Sequence, residues 1–199
     1  MRKGVTIILL LFLFSSIGYL FWQMDWVYNL PTPVPKNYHA VNKGKKINLP
    51  VQFKFDKSKP LLLHFYNPDC PCSRFNMPHF KSLVNTYKGS INFAIVIMTN
   101  KNYEPKDVQA RFGLNIPVVY DSSIATLCGV YSAPQAVLID TDSTLFYRGN
   151  YNRTRYCADK KTEYARFAID ALLNHNTNIY FDQFALTAYG CRTPKCIKK

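Results

Sequence analysis

The run Leu61-Leu62-Leu63-His64-Phe65-Tyr66 leads within a few residues into Cys70-Pro71-Cys72 and then into a helical pattern. This strand–turn–helix junction constrains the fold more than any other stretch. Six nearly continuous apolar residues are short for a helix and lack the alternation of a half-solvated strand, so they predict a central strand buried on both faces. Residues 91–98 repeat that pattern with β-branched side chains and predict a second buried strand. Over residues 73–87, Phe75, Phe80, Leu83, Val84 and Tyr87 share a helix face, with a kink where Pro78 removes a backbone donor. A thiol at the mouth of that helix feels the positive end of its dipole, which favours the nucleophilic thiolate. A second thiol beside it can close a disulfide and so carry two electrons. Residues i and i+2 of a helix point about 200° apart. A Cys70–Cys72 bond therefore requires Cys70 to lie just outside the helix, with Pro71 in its first turn. That bond is the expected one. Thiol–disulfide exchange is the leading chemistry, and copper(I) capture by Cys70 and Cys72 is its rival, because soft thiolates suit that ion.

The first residues set the compartment. Arg2 and Lys3 precede a stretch, residues 5–24, that holds no charged side chain. At about 1.5 Å per residue it spans roughly 30 Å of hydrocarbon. It ends in Phe21-Trp22, with Trp26 and Tyr28 following, an interfacial aromatic pattern rather than a small-residue cleavage site. The expectation is an uncleaved signal-anchor in the inner (cytoplasmic) membrane, single-pass, with the domain facing the periplasm. Six cysteines suit that oxidising side. With Cys70 and Cys72 set aside, Cys128, Cys157, Cys191 and Cys196 allow three pairings. The preferred one bridges Cys157 to Cys191 or Cys196, leaving Cys128 a buried thiol or a spare partner. The net charge of +13 comes from lysines and arginines spread along the chain. No nucleic-acid recognition motif accompanies them, so they read as a basic surface beside a membrane.

Four segments follow: 1–28 as anchor, 29–46 as a Pro/Lys-rich linker, 47–175 as the folded domain, and 176–199 as an extension with two cysteines. Pro31, Pro33 and Pro35 make the linker a stiff spacer lifting the domain off the membrane. Within the domain, strands are expected at 51–55, 61–66, 91–98, 117–120 and 136–139, the last joined through Thr141-Asp142-Ser143 to a hairpin strand at 145–148. Helices are expected at 73–87, at 106–112 ending on Gly113, at 122–128 followed by Gly129, and finally at 162–173 with Thr162 as N-cap. Strands alternating with helices and closing on a hairpin imply an α/β sandwich with a mixed sheet.

Over roughly residues 47–174 the chain resembles the thioredoxin superfamily, particularly its membrane-anchored extracytoplasmic redoxins. The residues that carry this are Phe65 five positions before Cys70, Pro78 eight positions after it, and the segment Val130-Tyr131-Ser132-Ala133-Pro134-Gln135-Ala136-Val137-Leu138-Ile139-Asp140. Asp121 and the helix after it match an insertion typical of exported redoxins. The resemblance implies a thioredoxin-like three-layer sandwich around a central mixed sheet. It implies Cys70 as nucleophile, and a cis peptide bond before Pro134 that sets backbone beside the active disulfide for substrate pairing. It also places His64 where the family has a buried proton-handling acid. The departure is Cys-x-Cys in place of Cys-x-x-Cys, so Ser73 stands in the usual resolving position and Cys72 is displaced by one.

The expected activity is a membrane-anchored thiol–disulfide oxidoreductase using Cys70 and Cys72, with Pro134 and His64 supporting them. Its partners would be client protein thiols and disulfides and an unidentified redox partner, with no organic cofactor and no nucleic acid. A thioredoxin-fold copper(I) chaperone and a thiol peroxidase are the alternatives. The peroxidase is weakened because Asn67 stands where that branch has threonine. Asn152-Arg153-Thr154 forms a glycosylation sequon.

Overall fold

The computed structural model describes residues 2–50 and 55–192. The expected strand at 51–55 falls almost wholly outside them. Helix α1 (Arg2–Phe21) runs through a π-helical turn (Trp22–Trp26) into α2 (Val27–Asn29). Residues Lys3–Asn29 are, by length and composition, apolar enough to cross a membrane, and their side chains lie largely outside the protein's own packing.

The sheet has five strands: β1 (Leu61–Tyr66), β2 (Asn92–Ile97), β3 (Val118–Val119), β5 (Gln135–Ile139) and β6 (Leu145–Gly149), in the order β3-β2-β1-β5-β6. β1, β2 and β3 are parallel, while β5 runs antiparallel to both β1 and β6, so the sheet is mixed, as expected. β1 sits at its centre and is buried throughout. Its side chains divide by the period of two that a strand imposes. Leu62 and Tyr66 join Ile95, Ile97, Leu138 and Phe80 on one face. Leu61, Leu63 and Phe65 join Val96, Val137 and Ile124 on the other. Helices α3 (Pro71–Tyr87), α4 (Pro105–Phe112) and α6 (Tyr164–Leu173) supply the first face, and α5 (Ser122–Cys128) supplies the second. The result is the thioredoxin-like three-layer arrangement that the resemblance implied.

Helix ends follow their local chemistry. Pro78 lies inside α3. Gly113 and Gly129 close α4 and α5 in the left-handed region, at φ 61° and 66°, where a Cβ is disfavoured. The Asp121 carboxylate caps α5 by accepting from the Ser123 N–H at 2.9 Å. Thr162 does not cap α6, contrary to expectation. It ends a 3-10 turn (Lys160–Thr162) and donates its hydroxyl to Asp159 Oδ2 at 2.9 Å. The Asp159 carboxylate caps that turn through the Lys161 N–H at 2.9 Å, and α6 starts only at Tyr164, so its N-cap position falls on Glu163 and not on Thr162.

Nor is α6 the last element. The chain continues into α7 (Gln183–Leu186) and β7 (Cys191–Arg192), and β7 pairs with β4 (Ser132–Ala133). This extension is stitched to the domain by the buried Asn150, whose amide donates to the carbonyls of Phe184 and Thr187, each at 2.6 Å. The Pro-rich segment is likewise bound to the domain rather than holding it away. Pro31 bridges to Tyr189, and the Thr32 N–H donates to Ala188 O at 2.7 Å. Proline fixes an extended backbone but leaves the intervening Thr32 its donor, and that donor completes a ladder. Further on, the Ile47 N–H donates to Ser143 O at 2.8 Å, while Val41 and Ile47 are buried in the second face of the core.

Phe80 is fully buried and meets the rings of His64, Phe93 and Phe112. Phe80→Ala should destabilise the domain by about 3–5 kcal/mol through lost transfer energy and the cavity left behind, measured by urea unfolding.

Candidate functional site

The site begins where β1 hands the chain to α3. The turn is built locally: Asn67 Oδ1 accepts from the Asp69 N–H at 2.9 Å, and the Cys70 N–H donates to Asn67 O at 3.0 Å. Ser73, in the family's resolving position, accepts from the Asn67 N–H at 3.3 Å and so holds the turn. Cys70 is the N-cap of α3, with extended backbone at φ −89° and ψ 121°, and Pro71 opens the helix. This is the arrangement the Cys-Pro-Cys spacing required.

The disulfide differs from expectation. Cys70 is bonded to Cys191, 121 residues away, with the two Cα atoms 6.1 Å apart. Neither the expected Cys70–Cys72 bond nor a bridge from Cys157 to Cys191 is present, and the alternative partner for Cys157, Cys196, lies outside the described residues. The reason is the strand pairing. β7 lies antiparallel to β4 with Ala133 opposite Cys191 and Ser132 opposite Arg192. That register brings Cys191 into bridging range of the helix mouth, while Cys72 lies on the first helical turn. Cys72 remains a buried thiol and packs with Cys70 and Cys191 in one small cluster against Tyr28.

Pro134 stands beside them. The Ala133–Pro134 peptide bond is cis, and the Ala133 carbonyl oxygen lies 3.6 Å from Cys70 Sγ. A cleft of about 200 Å³ opens here, its lining including Tyr28, Cys72, Pro134, Tyr151, Arg155 and Cys157. Cys157 accepts from Asn76 Nδ2 at 3.1 Å. Burial pushes its thiol up to about 11 despite that bond, with Cys72 and Glu163 adding to the rise. Cys128, on the far face of the sheet, is the buried thiol foreseen for it, pushed up to about 12 by burial. Neither is a nucleophile at neutral pH.

His64 is wholly buried and does not line the cleft. Its ring stacks on Phe80 with centroids 4.2 Å apart, and its Nδ1 is paired with the Tyr151 hydroxyl at 2.7 Å. Burial pushes its pKa down to about 3, with His79 adding, so the imidazole is neutral. It reaches the cleft only through Tyr151. His79 is also held below the usual histidine range by burial, although Glu163 Oε1 at 3.7 Å opposes this. Asn152 of the sequon is buried and donates its amide to Asp159 O at 2.6 Å. Among the described residues, no group of three or more histidine, cysteine or acidic side chains could hold a metal ion.

Two contributors escaped the sequence reading. Cys191 stood among the cysteines without a signal linking it to Cys70. Arg155 forms the rim towards the N-terminal helix: it donates to Met24 O at 2.9 Å, approaches Asp25 Oδ1 at 3.6 Å, and lies over the rings of Tyr28 and Phe75.

Comparison with known proteins places this arrangement in context. A family model described as Domain of unknown function (DUF6436) matches residues 38–195. No curated protein matches the chain. Among solved structures, an uncharacterized conserved protein from Geobacillus kaustophilus is similar at 18% identity and TM-score 0.65, over 82% of this chain and 98% of that one. A hypothetical protein from Sinorhizobium meliloti is similar at 19% identity and TM-score 0.61, over 78% and 95%. A putative thiol:disulfide interchange protein DsbE from Chlorobium tepidum aligns at 22% identity and TM-score 0.46, over 55% and 85%.

A histidine whose pKa falls on folding takes its proton more readily in the unfolded chain. For His64 the unfolded state therefore holds more protons between pH 6.5 and about 3, and stability drops as the pH falls through that window. From pH 7 to 5 the loss due to this residue should be about 2 kcal/mol. His64→Leu should remove that share while costing about 1–3 kcal/mol at pH 7, because Tyr151 loses its partner. Urea unfolding of both proteins at the two pH values measures the difference.

Proposed function

The chain belongs to the family described as Domain of unknown function (DUF6436), and from that footing we propose that it is a membrane-anchored thiol–disulfide oxidoreductase acting on protein disulfides outside the cytoplasm. One observation carries this reading: a cysteine at a helix N-terminus bears a disulfide beside the carbonyl that precedes a cis-proline, with another thiol in the same buried cluster. Cys70 is the exchanging sulfur. When it is reduced, its thiolate lies at the positive end of α3, an interaction worth roughly 0.3–1 kcal/mol or more when partly buried. Cys72 resolves the mixed disulfide that Cys70 forms with a client. Pro134 shapes the wall along which the client lies. Tyr151, held by neutral His64, forms another part of that wall. The electrons travel in the cysteines, so the step itself calls for no organic cofactor.

A copper(I) role would need Cys70 and Cys72 both as thiolates, and the Cys70 sulfur is committed to Cys191. In this reading residues Lys3–Asn29 are the anchor, Arg2 and Lys3 stay on the cytoplasmic side by the positive-inside rule, and the domain stands in a bacterial periplasm, where disulfides form and persist.

The test is insulin-disulfide reduction by the detergent-solubilised full chain. Cys70→Ser should lower the rate to the uncatalysed background. Cys72→Ser combined with Cys191→Ser, which removes both thiols clustered with Cys70, should instead accumulate a covalent adduct between Cys70 and the client, visible on a non-reducing gel. Full activity in Cys70→Ser would refute the assignment.

A further inference from the structure

The sulfur assigned to exchange is fully covered, and what covers it is the chain itself. Cys70 has no exposed surface. Its cover is residues 190–192, which lie as an extended segment along Ser132–Ala133 with Cys191 opposite Ala133. The fit at this point is close. Gly190 has φ 135°, and a Cβ there would run into the Ala133 carbonyl and come within 3.2 Å of Ser132 Oγ. The other side of the segment is held by the residues just after the N-terminal helix. Thr32 Oγ1 donates to Gly190 O at 3.2 Å and lies 3.0 Å from Ser132 Oγ, so one side chain touches both the tail and the strand it lies on.

Any client that reaches Cys70 has to occupy this place. It must bring a sulfur to where Cys191 Sγ lies, and its backbone must run along the edge that β7 now fills. We propose that the C-terminal segment is a tethered internal client, and that Cys191 is a third exchanging cysteine whose bond to Cys70 keeps the groove closed until Cys72 releases it. The proposal rests on the oxidoreductase reading given above. In the release step the Cys72 thiolate attacks Cys70 Sγ and a Cys70–Cys72 bond forms. The Cys70–Cys191 bond breaks, and its electron pair leaves on Cys191 Sγ, which takes up the proton that Cys72 gave. One disulfide is consumed and one is made, so no outside oxidant or reductant enters. Residues 190–192 then lose their covalent hold and retain the short β4–β7 ladder and the Thr32 contacts, while Asn150 still anchors the chain before them. The vacated edge admits an extended, thiol-bearing segment that pairs antiparallel with Ser132–Ala133; its thiolate attacks Cys70 Sγ, and the electron pair of the Cys70–Cys72 bond leaves on Cys72 Sγ.

The experiment uses the full chain with Cys196→Ser throughout, so that the second tail cysteine cannot substitute for Cys191. Protein oxidised with glutathione disulfide is alkylated and peptide-mapped, and the rate at which dithiothreitol reduces its disulfide is followed by maleimide labelling. The parent protein should yield the Cys70–Cys191 cross-link and react slowly. Cys191→Ser and, with the three site cysteines intact, Gly190→Val should each yield a Cys70–Cys72 cross-link and react at least about tenfold faster, a barrier lower by about 1.4 kcal/mol. A Cys70–Cys72 cross-link in the parent, or variant rates within twofold of the parent, would overturn the latch. Those results would leave the oxidoreductase reading standing, because that reading falls only if Cys70→Ser retains exchange activity.

Discussion

Burial of β1 on both faces is the constraint on which the rest depends. A strand with solvent on neither side must be flanked by strands at both edges and by helices above and below. Here β2 and β5 hold its edges, α3 and α6 pack on one face, and α5 packs on the other. Because the strand cannot shift register without exchanging its two sets of side chains, the end of Tyr66 is fixed in space. The turn that follows, closed by Asn67 and Ser73, is fixed with it. The position of Cys70 is thus inherited from the core and not from the loop in which it sits.

The same framework sorts the cysteines by environment. Around Cys128 and Cys157 the loss of solvent outweighs the help from Arg148 and from Asn76, and burial holds both in the protonated form. Cys70 sits at a helix terminus whose unsatisfied N–H groups favour negative charge. Five cysteines fall within the described residues, and three of them share one cluster. Proximity there and chemical suppression elsewhere confine sulfur chemistry to a single corner of the domain.

Much of this was legible in the residues, and for identifiable reasons. Strands β1 and β2, helix α3 with Pro78, the glycine ends of α4 and α5, and the cis bond before Pro134 all arise from local preferences or from short motifs with fixed spacing. Cys191 was not legible as the partner of Cys70. β7 is two residues long and carries no periodic signal, and its pairing with β4 depends on a contact that spans most of the domain. Thr162 is not the cap because it ends a 3-10 turn and the helix begins only at Tyr164, with Glu163 in the capping position. The Pro-rich segment's attachment to the domain was missed because the prolines were weighed and the Thr32 N–H between two of them, which pairs with Ala188 O, was not. His64 was correctly placed in the apolar strand. Its neutrality came into view only once Phe80 and Tyr151 were seen to enclose it.

Arg155 joins the cleft rim to the end of the N-terminal helix through Met24 and Asp25. A tether attached in this way transmits orientation as well as position. If the helix stands in a bilayer, the rim cannot swing freely about a flexible leash, and the opening beside Pro134 is held within a side chain or two of the lipid headgroups. Reach then becomes a matter of height: extended segments emerging close to the membrane surface meet the sulfur cluster, while bulky folded proteins approaching from above are kept at a distance by the domain's own body.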